Sequence, residues 1–289
     1  MLSKDLVKKI KAIEIKTRRL VSTTFSGSYH SVFKGQGISF ANVRDYQSGD
    51  DTRFIDWKVT ARTGRPYIKE FEEERELTVI LMVDLSGSKQ FGSHAKTKAT
   101  IATEIATILG FSAINNQDKV GLLLFSDQVE LFIPPKKGKK HMLRLIRDIF
   151  FYKPKSKKTN IGVATDYLVK MIKKKAIVFL ISDFLDTQLD SALSLISKKH
   201  DVVPIALYDP REKSLLNCGI IALEDNETGE HLYLNSNLVQ GTYANMILSQ
   251  SLELQRLFKS LKLDFIHLDT SQSYVEPLSH YFSNRLTRV

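Results

Sequence analysis

One cysteine in 289 residues, Cys218, has no second thiol to pair with inside the chain. An internal disulfide is excluded, and a reducing cytoplasm is the expected compartment. Long hydrophobic runs are missing too: none approaches the roughly 20 apolar residues that span a bilayer. The opening MLSKDLVKKIKAIEIKTRRL lacks the unbroken apolar stretch of a signal peptide. No export is expected, so the triplet Asn226-Glu227-Thr228 reads as a chance match to a glycosylation acceptor. The seven histidines, at positions 30, 94, 141, 200, 231, 267 and 280, fall at no metal-binding spacing. Neither a phosphate-cradling G-x-x-x-x-G-K-S/T nor a G-x-S-x-G nucleophile elbow occurs. There is no repeat of fixed period and no low-complexity tract.

What is present is ordinary in bulk: 43% hydrophobic and 26% charged residues, enough to bury a proper core. The length suits one domain with an extra subdomain. The net charge of +10 comes from 42 Lys and Arg against 32 Asp and Glu. It is gathered in runs at Lys136 to Lys140, Lys153 to Lys158 and Lys173 to Lys175. Few aromatics are interleaved with these runs to stack bases, so they read as solvated loops and helix ends, and nucleic acid is not an expected partner.

Periodicity divides the chain at 1–24, 25–76 and 77–289. Residues 3–20 carry an apolar stripe of Leu6, Ile10, Ile13 and Leu20 at helical spacing, with Ser3 as N-cap. Residues 25–76 are rich in glycine, aromatics and turn dipeptides, which predicts a small β-rich subdomain. In it Thr63-Gly64 reads as a hairpin turn and Trp57, the only tryptophan, as the anchor. From residue 77 apolar runs alternate with helical patterns. LTVILMVD (77–84), KVGLLLFS (119–126), AIVFLISDF (176–184), DVVPIALYD (201–209) and DFIHLDT (264–270) read as strands. VELFIPP (129–135) reads as an antiparallel neighbour, and GIIALEDNETGEHLYLN as an inserted hairpin turning around Asn226 to Gly229. The implied architecture is α/β, a Rossmann-like, mostly parallel central sheet with helices on both faces.

In such sheets ligands bind beyond the carboxyl ends of the strands. There VDLSGSKQF places Asp84, Ser86 and Ser88 at alternate positions, Thr159 stands at the start of a helix, and Asp183 follows AIVFLIS. A buried strand does not end in an unpaired carboxylate without a large desolvation cost. One cation would satisfy both acids and all three hydroxyls, and oxygen ligands of this kind suit magnesium, or manganese or calcium. Helix capping by Asp84 is the plainer reading, but it accounts for only part of the set.

DLSGS, the later TNIG and the later SD together resemble the metal-ion-dependent adhesion site of the von Willebrand factor type A domain. The resemblance implies metal ligation by Asp84, Ser86, Ser88, Thr159 and Asp183. Lys89 departs from the family, where an apolar residue is common, and changes the charge near the metal. A second resemblance rests on GQG, the VRDY-GDD-R-IDW-TAR series and the K-FEEERE that leads into VDLSGS. These are similar to the signature of the bacterial DUF58 family, in which that segment precedes a type A core. It implies partnership with a MoxR-type AAA+ ATPase. The expectation is a non-enzymatic protein-binding module, with no catalytic residues, that takes an exposed Asp or Glu of a client through the metal. The alternative is a magnesium-dependent phosphohydrolase or nuclease. The charged series Arg44, Asp45, Asp50, Asp51, Arg53, Asp56 and Arg62 reads as salt bridges and turn caps, with Gly49 supplying a positive φ. Lys153 to Lys158, just ahead of Thr159, would flank the metal crevice.

Overall fold

A computed structural model describes residues 38–73, 76–93, 96–186 and 188–286. The helix expected over 3–20 lies outside them. The chain divides into a small unit, Phe33–Leu77, and a larger one that takes up the chain from Thr78.

In the small unit, β1 (Ile38–Asp45) pairs antiparallel with β2 (Tyr67–Glu73), Asp45 opposite Tyr67. Between them lie a short 3-10 turn, Thr52–Phe54, and helix α1, Trp57–Thr63. The charged series does hold this segment in place. Arg44 forks onto Asp50 at 2.7 and 2.8 Å and reaches Glu70 at 2.8 Å. Asp50 in turn accepts the Gln47 N–H, and Gly49 has φ 110°. Two expectations are corrected here. Thr63-Gly64 is the end of α1 and not a hairpin turn, because Asp56 caps the amides of Lys58 and Val59 and Gly64 closes the helix at φ 71°. A cap at one end and a left-handed glycine at the other outweigh the alternation that suggested strands. Trp57, the first residue of that helix, is 70% exposed and is not the anchor expected of it; among the described residues of this unit Ile68 is the buried apolar side chain.

The larger unit begins with β3 (Thr78–Asp84), α2 (Lys98–Asn115), β4 (Lys119–Phe125), β5 (Val129–Lys136) and α3 (Lys139–Phe151). It continues with α4 (Ile161–Met171), β6 (Ile177–Ser182), α5 (Leu189–Ser197), β7 (Asp201–Tyr208) and the single turn α6 (Pro210–Lys213). A hairpin, β8 (Ile220–Glu224) and β9 (His231–Asn235), precedes α7 (Ser236–Ser260), β10 (Ile266–Asp269) and α8 (Val275–Leu286). Six strands form one sheet in the order β10-β7-β6-β3-β4-β5. All neighbours are parallel except β4 and β5, as the sequence led one to expect.

The continuous apolar runs are explained by cover on both faces. Ile80 and Met82 of β3 pack with Ile161 and Leu168 of α4 and Leu193 and Ile196 of α5. Leu81 points the other way, toward Gly110 of α2, where the missing Cβ leaves room for Met142 of α3. Each such side chain, fully buried, contributes about 1.5–3 kcal/mol. The β8–β9 hairpin stands apart as its own two-stranded sheet. This is the α/β, mostly parallel, helix-flanked architecture expected.

Candidate metal centre

Parallel strands bring their carboxyl ends to one rim, and Asp84 is the last residue of β3 there, paired with Phe125 of β4. Its carboxylate is buried and already bonded. Oδ1 accepts the Ser86 N–H at 2.8 Å, which curls the Asp-x-Ser turn, and Oδ2 accepts the Ser182 hydroxyl at 2.6 Å. That turn sets the Ser86 and Ser88 hydroxyls 3.0 Å apart. Gly87 between them donates its N–H to the Lys157 carbonyl at 2.7 Å, so the lysine-rich loop does flank the crevice.

Asp183 directly follows β6, as expected after AIVFLIS, although the strand itself ends at Ser182 and not at residue 184. It accepts hydrogen bonds from Ser88 and Lys98. Thr159 is not in a helix. Asn160 caps α4 by accepting the Val163 N–H, so Thr159 lies in the loop before it, with its hydroxyl 2.7 Å from Glu227. Glu227 in turn lies close enough to Asp84 and Asp183 to feel their charges. The structure thus brings Asp84, Ser86, Ser88, Thr159 and Asp183 to the same rim.

Four charged residues at the rim were not foreseen in these roles. Lys89, noted only as a departure, is 2% exposed, with Nζ 3.5 Å from Asp84 Oδ2 and 3.4 Å from Asp183 Oδ1. Its ammonium makes no hydrogen bond among the described residues. Lys98, fully buried in the first turn of α2, donates to Asp183 at 3.0 Å and to Glu212 of α6 at 2.5 Å. Glu227 comes from the hairpin tip. In the sequence it lies in the expected hairpin turn, Asn226 to Gly229, and in a chance glycosylation triplet, and neither points to the rim.

Electrostatics follow from this packing. Burial works against ionisation of Asp183, but Lys89, Lys98 and the Ser88 hydrogen bond outweigh it and hold the carboxyl well below its usual range. Burial likewise opposes the charge on Lys98, and Asp183 and Glu212 more than restore it. Burial pushes Glu227 up, the Thr159 hydrogen bond opposes this, and Asp84 and Asp183 push it further.

Would a metal ion fit here? Among the described residues no three His, Cys, Asp or Glu side chains form a metal-binding group, so a cation would rest on hydroxyls as well as carboxylates. The donors are all oxygen, as a hard cation requires. Four carboxylates (Asp84, Asp183, Glu212, Glu227) face two ammoniums (Lys89, Lys98), and a divalent ion would balance the excess. Lys89 pairs with both acids at 3.5 and 3.4 Å without hydrogen bonding to either, so its charge already meets part of theirs and opposes a metal ion. The donor set fits, with Lys89 opposing.

A sheet of this order makes an α/β domain, and its Asp-x-Ser-x-Ser turn, threonine loop and second acid at one rim resemble those of the von Willebrand factor type A domain. Residues 42–251 match the family described as protein of unknown function DUF58, and the chain belongs to that family. The uncharacterized protein Mb1516 of Mycobacterium bovis is 25% identical over 280 residues, spanning 96% of this chain and 88% of the relative. Among solved structures, BatB of Bacteroides thetaiotaomicron is similar at 14% identity and a TM-score of 0.46, over 73% of this chain and 99% of that one. The SpRpn10 VWA domain is similar at 13% identity and a TM-score of 0.38, over 74% of this chain and 95% of that one. No described helix is long and apolar enough to cross a membrane.

Proposed function

We propose that this chain is a protein-binding module that holds a divalent cation, magnesium in the first instance, at the rim of Asp84, Ser86, Ser88, Thr159 and Asp183. Through that ion it takes an acidic side chain of a partner. The observation that carries the reading is the convergence itself: three hydroxyls from two separate loops and two acids from separate strand ends, with one further carboxylate, Glu227, bonded to Thr159 at 2.7 Å. The hydroxyls of Ser86, Ser88 and Thr159 would hold the ion directly. Asp84 and Asp183 would orient its shell, largely through waters. A shell poor in direct carboxylates leaves the ion electrophilic and able to accept a carboxylate from outside. The resemblance to DUF58 proteins makes a MoxR-type AAA+ ATPase the expected complex, and the exposed free Cys218 suits a cytoplasmic setting.

The rival phosphohydrolase or nuclease would need a group free to attack or to take a proton. Asp84 has one oxygen bonded to the Ser86 amide and the other to Ser182, with Lys89 beside it, which favours a supporting role. Magnesium should raise the melting temperature of the wild type by on the order of 5 °C at a hundredfold excess over Kd. Ser86→Ala and Thr159→Ala should lose most of that rise, measured by thermal unfolding with and without chelator. An identical rise in both variants would remove the site. Magnesium-dependent turnover of a phosphate ester, abolished by Asp84→Ala, would replace the binding reading with the catalytic one.

A further inference from the structure

We infer that Glu227 is a built-in occupant of this rim: the tip of the β8–β9 hairpin presents its carboxylate where a partner's acidic side chain would bind, so that a partner must displace it. The inference rests on the metal-dependent reading above and adds its regulation.

Glu227 and Thr159 are 68 residues apart in the chain, so their contact is a matter of tertiary placement. The tip is organised to aim this side chain. Asp225 accepts the Glu227 N–H at 2.8 Å and the Thr228 hydroxyl at 2.9 Å, and Gly229, at φ 76°, donates its N–H to the Asp225 carbonyl at 2.7 Å. Behind Glu227, the backbone of Asn226 presses on Gly87, the central residue of the Asp-x-Ser-x-Ser turn. A Cβ at Gly87 would fall 2.3 Å from the Asn226 carbonyl oxygen, so this seating requires glycine there. The same turn carries Ser86 and Ser88, and Lys89, whose buried ammonium pairs with Asp84 and Asp183, follows directly.

The remainder of the hairpin is poorly held. Its strands are mostly exposed and belong to a sheet of their own. Their base is tied by the Ser236 N–H and hydroxyl to the Gly219 carbonyl, at 2.8 and 2.9 Å. A segment seated by one side-chain hydrogen bond and one backbone contact opens at low free-energy cost. A carboxylate on a mobile arm therefore competes with an external one at high effective concentration. A partner succeeds by adding contacts that the tip lacks.

The test uses the full chain with manganese as probe, and compares wild type, Glu227→Gln and Gly87→Ala. The first variant removes the carboxylate; the second pushes the tip away without altering any ligand. Water-proton relaxation counts the exchangeable waters on bound manganese. Both variants should gain about one water over wild type, and acetate should displace it in the variants at concentrations that leave wild type unchanged. Hydrogen exchange without metal should quicken at the Glu227 and Gly229 amides in Gly87→Ala. Equal water counts and equal acetate responses in all three proteins would overturn the inference while leaving the metal site standing. Unchanged exchange in Gly87→Ala would overturn the seating on its own. Absence of manganese binding in every protein would instead remove the metal reading, and this inference with it.

Discussion

Lys89 would set how strongly the proposed metal is held at the rim, because its ammonium lies 3.5 and 3.4 Å from the two acids that would orient the ion's shell. Two effects oppose each other. The ammonium stabilises Asp84 and Asp183 when no metal is bound, and it repels a divalent ion when one arrives. Lys89→Met separates them. Without metal the variant should lose about 3 kcal/mol, since a buried ion pair is being broken from one side. Its affinity for magnesium should rise by about tenfold or more, so its metal-induced melting shift should exceed that of wild type. Thermal unfolding of both proteins in chelator and in magnesium checks this; a smaller shift in the variant would mean that Lys89 supports the metal. Only part of this chemistry was legible beforehand. Asp84, Ser86 and Ser88 sit within one short turn, where spacing along the chain nearly fixes spacing in space. Lys98, Glu212 and Glu227 come from a helix start, a single helical turn and a hairpin tip, and no local pattern announces that three such pieces will meet.

Elements show the same division. Continuous apolar strands such as LTVILMV were legible because burial on both faces leaves a run that no amphipathic pattern imitates. Helix α1 was not, because a seven-residue helix shows too little period to betray itself, and its cap and closing glycine decide the matter. Between elements, His200 joins two turns: its Nδ1 accepts the Ala176 N–H at 3.3 Å, ahead of β6, while His200 itself immediately precedes β7. It is 3% exposed, and burial, aided by the charge of Lys199, lowers its pKa to about 4. The unfolded imidazole, near 6.5, takes up a proton first as pH falls. Stability from neutral His200 is therefore complete above about pH 6.5 and is lost progressively down to about pH 4, a loss of roughly 2–3 kcal/mol. His200→Asn should flatten this part of the profile, read as urea midpoints at pH 7 and pH 4.5. A slope equal to that of wild type would assign the pH dependence to other groups.

Across the whole molecule the net charge of +10 has a place to act. Lys155, Lys157 and Lys158 are exposed on the loop whose backbone meets Gly87, so part of the basic excess borders the rim where an acidic partner would arrive. That loop is held: the Lys155 and Ser156 amides both bond to Glu130 Oε1, at 3.0 and 3.3 Å. Fixed positive charge beside a binding site accelerates encounter more than it tightens the final complex, and salt screens it over about 10 Å. Replacing the three lysines by glutamine should lower the association rate of a partner recovered by magnesium-dependent co-purification by about tenfold at low salt. The dissociation rate should stay nearly constant, and the two proteins should converge as salt rises. Surface-plasmon kinetics across a salt series separates the two rates. A change confined to dissociation would mean that these lysines touch the partner in the finished complex, and the long-range role of the charge would have to be abandoned.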